Sequence, residues 1–328
     1  MHALATSRRT HDAMNCPSPL TRSRQALLKI TSAGVFLLLI LSPSGSAQAH
    51  TLLAAGAPAD TEAPRTPSDA GIGTAPWAHD ESWIVDALTH GNVLRLEPIG
   101  HGITNPFRAE IHHEGRRLHA VWKPIVNGDY EEHESYQAEI AAYRLSRALG
   151  LDMVPPTVER KVGRRWGSLQ FWVDGYELFA EAVGHRPIDG SIIPRLEAMR
   201  FFDALIDNPD RHAGNYMVDA AWNVVLIDHS RAFDGASRAT RRIGPDPTFF
   251  PALAVDRLRR MSAEDLDELL GDVTGRSTRR RLLRSARGLV ELADRAVAAQ
   301  GTKALFDHEA LFSGSPAQVE PTLVAQQP

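Results

Sequence analysis

Asp210 and Asn215 stand five residues apart, and Asp228 follows Asn215 by thirteen. No other feature constrains the chain as tightly, because the residues between fix how these groups meet. Residues 215–219 (NYMVD) and 224–228 (VVLID) are rich in branched and aromatic side chains and read as two strands, joined by a turn at Ala220-Ala221-Trp222-Asn223. In such a hairpin the first residue of one strand opposes the last of the other. Asn215 is therefore expected to face Asp228, with α-carbons roughly 5 Å apart. A carboxamide beside a carboxylate offers two oxygen donors to a hard divalent cation.

Asp210 then lies where a base would be wanted. Phosphoryl transfer to a hydroxyl needs a carboxylate that orients the hydroxyl and accepts its proton, and a cation on the phosphates. Asn215 and Asp228 are the candidate ligands for Mg²⁺ or Mn²⁺ on ATP. The plain alternative is turn chemistry, since Asn208-Pro209-Asp210 is a good turn sequence. Lys123 ends a strand in Ala-Val-Trp-Lys-Pro and is the candidate phosphate-binding cation; a surface lysine is the simpler alternative. Glu139 sits at the edge of a helix's apolar face and is expected to turn inward and hold Lys123. Gly100 and Gly102, in Gly-His-Gly-Ile-Thr-Asn-Pro, could bring backbone N–H groups close to a phosphate, or simply form a loop. The histidines show no zinc spacing. A metal-dependent hydrolase using Asp210, His212 and Asp228 stands as a minor alternative.

Charge narrows the partners. The formal net charge is −4, and residues 1–49 hold five Lys or Arg against one Asp, which leaves −8 for the rest. No basic excess exists to neutralise nucleic-acid phosphates, so no nucleic-acid partner is expected. Cys16 is the only cysteine, so no thiol nucleophile or cysteine-held metal is possible beyond it. Arg22, Arg24 and Lys29 precede an apolar run over residues 30–41, followed by Ala47-Gln48-Ala49. This reads as a cleavable signal peptide spanning 1–49, with export of the remainder and no membrane span in the mature chain. The alternative is a membrane anchor at residues 30–41.

Residues 50–79 are mostly Ala, Pro, Thr, Gly and Asp without periodicity and read as a disordered linker, as does the tail at 313–328. The folded part divides at about residue 173. In 80–173, strands are expected at 93–97, 107–111, 118–122, 154–158 and 166–173, with a helix over 134–149 and core aromatics at Trp166, Phe171 and Trp172. In 174–312, helices are expected over 194–206, 253–270 and 280–299. A sheet-rich lobe followed by a helical lobe is an α+β pattern.

Taken together, Trp122-Lys123-Pro124, Glu139-Ile140-Ala141-Ala142-Tyr143, Val154-Pro155-Pro156-Thr157, Asn208-Pro209-Asp210-Arg211-His212 and Ile227-Asp228 resemble the atypical kinases. These comprise the HipA-like kinases, the phosphatidylinositol 3- and 4-kinase-like group and, above all, the secretory-pathway kinases of the Golgi casein kinase type. The resemblance spans about residues 99–233. It implies a two-lobed kinase-like fold, ATP with Mg²⁺ or Mn²⁺, and a hydroxyl acceptor on a protein, lipid or small molecule. It also implies that Lys123 binds phosphate, Glu139 pairs with it, Asp210 is the base, and Asn215 and Asp228 hold the metal. Three departures stand out. Asn208 occupies the place of the His in H-R-D, His229-Ser230 follows Asp228 where ordinary kinases carry Phe-Gly, and the disulfides frequent in secretory kinases have no cysteines here. An exported pseudokinase that binds nucleotide or a partner without catalysis is the competing expectation.

Overall fold

Three consecutive strands open the sheet: β1 (Asn92–Pro98), β2 (Phe107–His113) and β3 (Arg116–Lys123). The tight β2–β3 turn places both Glu114 and Gly115 at positive φ (47° and 77°), a conformation glycine adopts without strain. A second hairpin, β4 (Thr157–Val162) and β5 (Arg165–Phe171), completes a five-stranded antiparallel sheet in the order β1-β2-β3-β5-β4. The computed structural model describes residues 75–100, 105–125, 134–233, 235 and 249–312. The expected signal segment and tail, residues 50–74 of the expected linker, and Gly102 lie outside the described residues. Residues 75–79 correct the linker expectation: Ala75 and Trp77 are buried in the hydrophobic core, so the folded part starts before Asp80.

Period-two alternation gives the sheet two unlike faces. Ala109, Ile111, Leu118, Ala120, Trp122 and Leu169 bury one face, against which α1 (Glu81–His90) packs. Arg160 fastens that helix, donating to the C-terminal carbonyl of Leu88 and to the Gly91 carbonyl, both at 2.6 Å. These carbonyls have no partner within the helix, so the guanidinium serves as its C-terminal cap. The opposite face carries Lys123. Helix α2 (Tyr136–Leu149), capped by Ser135 and stopped by Gly150 at φ 68°, packs against β4 and β5. A β-carbon at Gly150 would meet Leu253 and Arg257 at 2.8 Å, so the glycine is required twice over.

The second part contains a three-stranded antiparallel sheet, β6 (Glu177–Leu178), β7 (Tyr216–Val218) and β8 (Val224–Leu226). Around it are α3 (Phe179–Ala182), α4 (Ile193–Leu205), α5 (Ala252–Arg260), α6 (Ala263–Leu270) and the long α7 (Arg276–Gln300). A short parallel pair joins β9 (Phe250–Pro251) to β10 (Leu305–Phe306). Helix α4 is its spine: Ala198, Phe201, Phe202 and Leu205 are buried, and Phe201 meets Phe250 edge-on at 6.3 Å. Burying each of these phenylalanines contributes about 2–3 kcal/mol. The architecture is α+β with the sheet-rich part first.

Four further expectations are corrected. The strand expected from 154 begins at Thr157, because Pro155 and Pro156 have no N–H to give to a ladder. The helix expected over 253–270 is two helices. Ser262 breaks it by forming a capping box with Asp265 at the start of α6. Trp166 is half exposed rather than core, covered on one side by Lys161 at 5.8 Å. The fourth correction concerns the hairpin register and bears on the site.

Candidate active site

In the β7–β8 hairpin, Tyr216 pairs with Leu226, Met217 with Val225 and Val218 with Val224. Asn215 therefore opposes Ile227, whose N–H donates to the Asn215 carbonyl at 3.2 Å, and not Asp228. The expected register is off by one. Asp219 causes the slip. Its carboxylate accepts from the N–H groups of Ala221 (2.9 Å) and Asn223 (2.8 Å) and from the Asn223 side chain (2.8 Å). These bonds pull Asp219 into the turn and lengthen it by one residue. Trp222 takes a positive φ of 61° to close it.

Asp228 is brought to the site by its own backbone instead. Its φ of 58° ends the strand and turns the carboxylate out of the pleat. Oδ1 then lies 3.1 Å from Nζ of Lys123 at the end of β3. The same ammonium donates to Oε1 of Glu139 on α2 at 2.6 Å. Oε2 of Glu139 accepts the His229 backbone N–H at 2.9 Å. Lys123 and Glu139 are both buried, while the Asp228 side chain remains about a third exposed. One lysine thus ties the sheet, α2 and the segment after β8 together, as expected for Lys123 and Glu139.

Burial disfavours the charge on Lys123, yet Asp228 and Glu139 outweigh it and hold the ammonium above its ordinary pKa. Burial likewise opposes ionisation of Glu139. Lys123 and the His229 side chain prevail and hold its carboxyl well below the usual carboxylate range. His229 is fully buried, and burial keeps its ring neutral by lowering its pKa. Arg211 Nη2 lies 2.9 Å from His229 Nε2. A guanidinium only donates, so Nε2 accepts and the ring proton sits on Nδ1.

Asp210 and Asn215 meet across the loop that follows α4. Asn215 Nδ2 donates to the Asp210 carbonyl at 2.9 Å, and the Asp210 N–H donates to Oδ1 of Asn208 at 3.1 Å. The Asp210 carboxylate is about a third exposed and lies 3.5 Å from the Arg231 guanidinium. Gly100, two residues beyond the end of β1, is exposed with φ 74° and has open space around its α-carbon.

Sequence reasoning missed four residues here. Glu134, immediately before the Ser135 cap, has a buried Oε2 with no hydrogen-bond partner. Burial first, and then the Asp228 charge, raise its pKa. Arg231 neutralises Asp210. Asp203 and Arg211 form a buried pair at 2.9 Å behind the loop. An Asp seven residues before Asp210 in a helical pattern, followed by Arg211, was the available signal.

The donor set suits a hard cation. Asn215 and Asp228 supply oxygens, and the orphaned Glu134 oxygen faces the same charges. Among the described residues, no three His, Cys, Asp or Glu side chains close into a metal cage by themselves.

No family model matches the chain. A Golgi casein kinase structure with Mn/ADP bound superposes with a TM-score of 0.51 at 13% identity, covering 70% of this chain and 79% of that one. The chain has a kinase-like fold. A Helicobacter pylori proinflammatory kinase, CtkA, aligns with a TM-score of 0.42 at 13% identity, over 65% of this chain and 98% of that one. Protein Rv2133c of Mycobacterium tuberculosis is 28% identical over 149 residues, covering 35% of this chain and 54% of its own length. The chain thus spans about half the length of that curated relative. Within the kinase-like fold, Lys123, Glu139 and Asp228 stand where sheet, α2 and the β7–β8 hairpin converge. No helix among the described residues is long and apolar enough to cross a membrane.

Proposed function

We propose that this protein is a metal-dependent phosphotransferase that moves the γ-phosphate of ATP to a hydroxyl on a protein. The observation that carries the reading is Lys123 bridging Glu139 at 2.6 Å and Asp228 at 3.1 Å. A structural surface lysine has no reason to be buried between two carboxylates drawn from different parts of the fold. Burying such charges is costly unless they act together.

Lys123, kept charged, is the contact for the nucleotide phosphates, and Glu139 holds it in place. Asn215 and Asp228 would hold Mg²⁺ or Mn²⁺, with Glu134 near by. Such a cation, when bound, neutralises the phosphate charge and orients the γ-phosphoryl group. Asp210 orients the acceptor hydroxyl and takes its proton. The hydroxyl oxygen forms the new bond to γ-phosphorus as the bond to the β,γ-bridging oxygen breaks. ADP leaves, and Asp210 passes the proton to solvent. Arg231 sits beside Asp210, its guanidinium 3.5 Å from the carboxylate.

The test is incubation of the purified full-length protein with γ-labelled ATP, Mg²⁺ or Mn²⁺ and protein acceptors. Labelled protein supports the reading. Nucleotide binding without transfer to protein, lipid or small-molecule hydroxyls would make the chain a non-catalytic nucleotide-binding module.

A further inference from the structure

Behind the loop that carries Asp210, the buried side chain of Asp203 on α4 serves two partners at once. Its Oδ2 accepts from Nε of Arg211 at 2.9 Å and its Oδ1 from Nη2 at 3.1 Å, a fork-to-fork pair. Oδ1 also accepts from Nδ2 of Asn208 at 2.9 Å. Each partner then reaches a different part of the site. Arg211 Nη1 donates to the carbonyl of Ile227 at 2.7 Å and to that of Asn215. These are the facing residues at the open end of the β7–β8 hairpin, where Asn215 and Asp228 emerge. Asn208 instead receives the backbone N–H of Asp210 at 3.1 Å.

We propose that Asp203 is a positioning residue with two separable arms: Arg211 sets the separation of Asn215 and Asp228, and Asn208 sets the backbone of Asp210. The proposal rests on the phosphotransferase reading for the roles of these three residues. Physically, an N–H fork gripping two carbonyls of opposite strands fixes their spacing more stiffly than a single ladder bond does. Lysine in place of Arg211 keeps the charge but, as a point donor on a flexible stem, cannot hold Asp203 and both carbonyls together. Asn208→Ala removes the other arm and leaves the Arg211 fork intact. A purely structural pair would give a uniform loss, whichever arm is cut.

The experiment uses full-length wild type, Arg211→Lys and Asn208→Ala, with folding checked by thermal melting. Mn²⁺ affinity with ADP is read by electron paramagnetic resonance, and kcat at saturating Mn²⁺ is read by transfer of label from ATP. Arg211→Lys is expected to weaken Mn²⁺ binding by about tenfold or more, with kcat largely restored by excess metal. Asn208→Ala is expected to leave Mn²⁺ affinity within about twofold of wild type while kcat falls by about tenfold. Equal loss of both quantities in both variants, or no loss in either, would overturn the proposal. If wild type binds Mn²⁺ and ADP but transfers nothing, the enzymatic reading fails while the metal arm is still decided by the resonance data. If wild type binds no Mn²⁺, both fall. Should Arg211→Lys not fold, Asn208→Ala decides alone, since a shifted metal affinity there contradicts separate arms.

Discussion

Lys123 at the end of β3 donates to Asp228, 105 residues later, at 3.1 Å, and this contact joins the sheet-rich part of the fold to the hairpin beyond α4. It places a fixed positive charge against the carboxylate proposed to hold a cation. Removing Glu139, which holds the lysine, should therefore disturb both stability and nucleotide binding.

Glu139→Gln tests this through stability. Breaking one partner of a buried pair costs about 3 kcal/mol or more, and Lys123 would keep only Asp228. The pH dependence follows from the depressed carboxyl of Glu139. Ionised Glu139 stabilises the fold fully above the ordinary carboxylate value of about 4.3, and that contribution is lost as pH falls below it. The difference in unfolding free energy between wild type and Glu139→Gln should be largest near neutral pH and shrink in acid. Urea melts at several pH values would show it; a difference that grew toward acid would refute the assignment.

Asp210→Asn should keep the fold and ATP affinity while lowering transfer by about 10² or more, the usual effect of losing a general base. Steady-state kinetics alongside equilibrium binding separate the two effects. Turnover like that of wild type would remove Asp210 from the base role.

Glu134→Gln should move two quantities in opposite directions. The buried, unpartnered Oε2 and the nearby Asp228 charge make this carboxylate unfavourable in the metal-free protein. Its replacement should leave the melting temperature unchanged or higher. The stabilisation gained on adding Mn²⁺ and ADP should shrink. Thermal shift with and without Mn²⁺ reads both, and an undiminished metal response would exclude Glu134 from the site.

We also propose export. Arg22, Arg24 and Lys29 precede the apolar run, and no Lys or Arg follows until Arg65. A fusion of residues 1–80 to a reporter active only after export should be active, with a mature start at His50. A reporter retained in the cytoplasm would refute it.

Much of this was legible in the sequence because it depended on local pattern. Strand alternation around Lys123, the helical stripe carrying Glu139 and the Asp210–Asn215 spacing each survive in the fold. The hairpin register was not legible, because Asp219 folding its own carboxylate over the turn is a side-chain choice that strand propensity does not report. Asp228 reaches the site through a positive φ that its residue type allows but does not demand. Glu134 and Arg231 acquire meaning only from neighbours distant in the chain. The break at Ser262 was readable, since Ser with Asp three residues later marks a helix start.

The central claim is that Asn215, Asp228 and Lys123 form one metal–nucleotide site. Calorimetric titration of the full-length protein with ATP, with and without Mg²⁺, tests it most directly, alongside Asp228→Ala and Asn215→Ala. The account predicts saturable binding that requires the metal, abolished in Asp228→Ala and weakened less in Asn215→Ala, because the first loses a charged ligand and the second a neutral one. Binding of equal affinity in all three proteins, or binding indifferent to Mg²⁺, would contradict it.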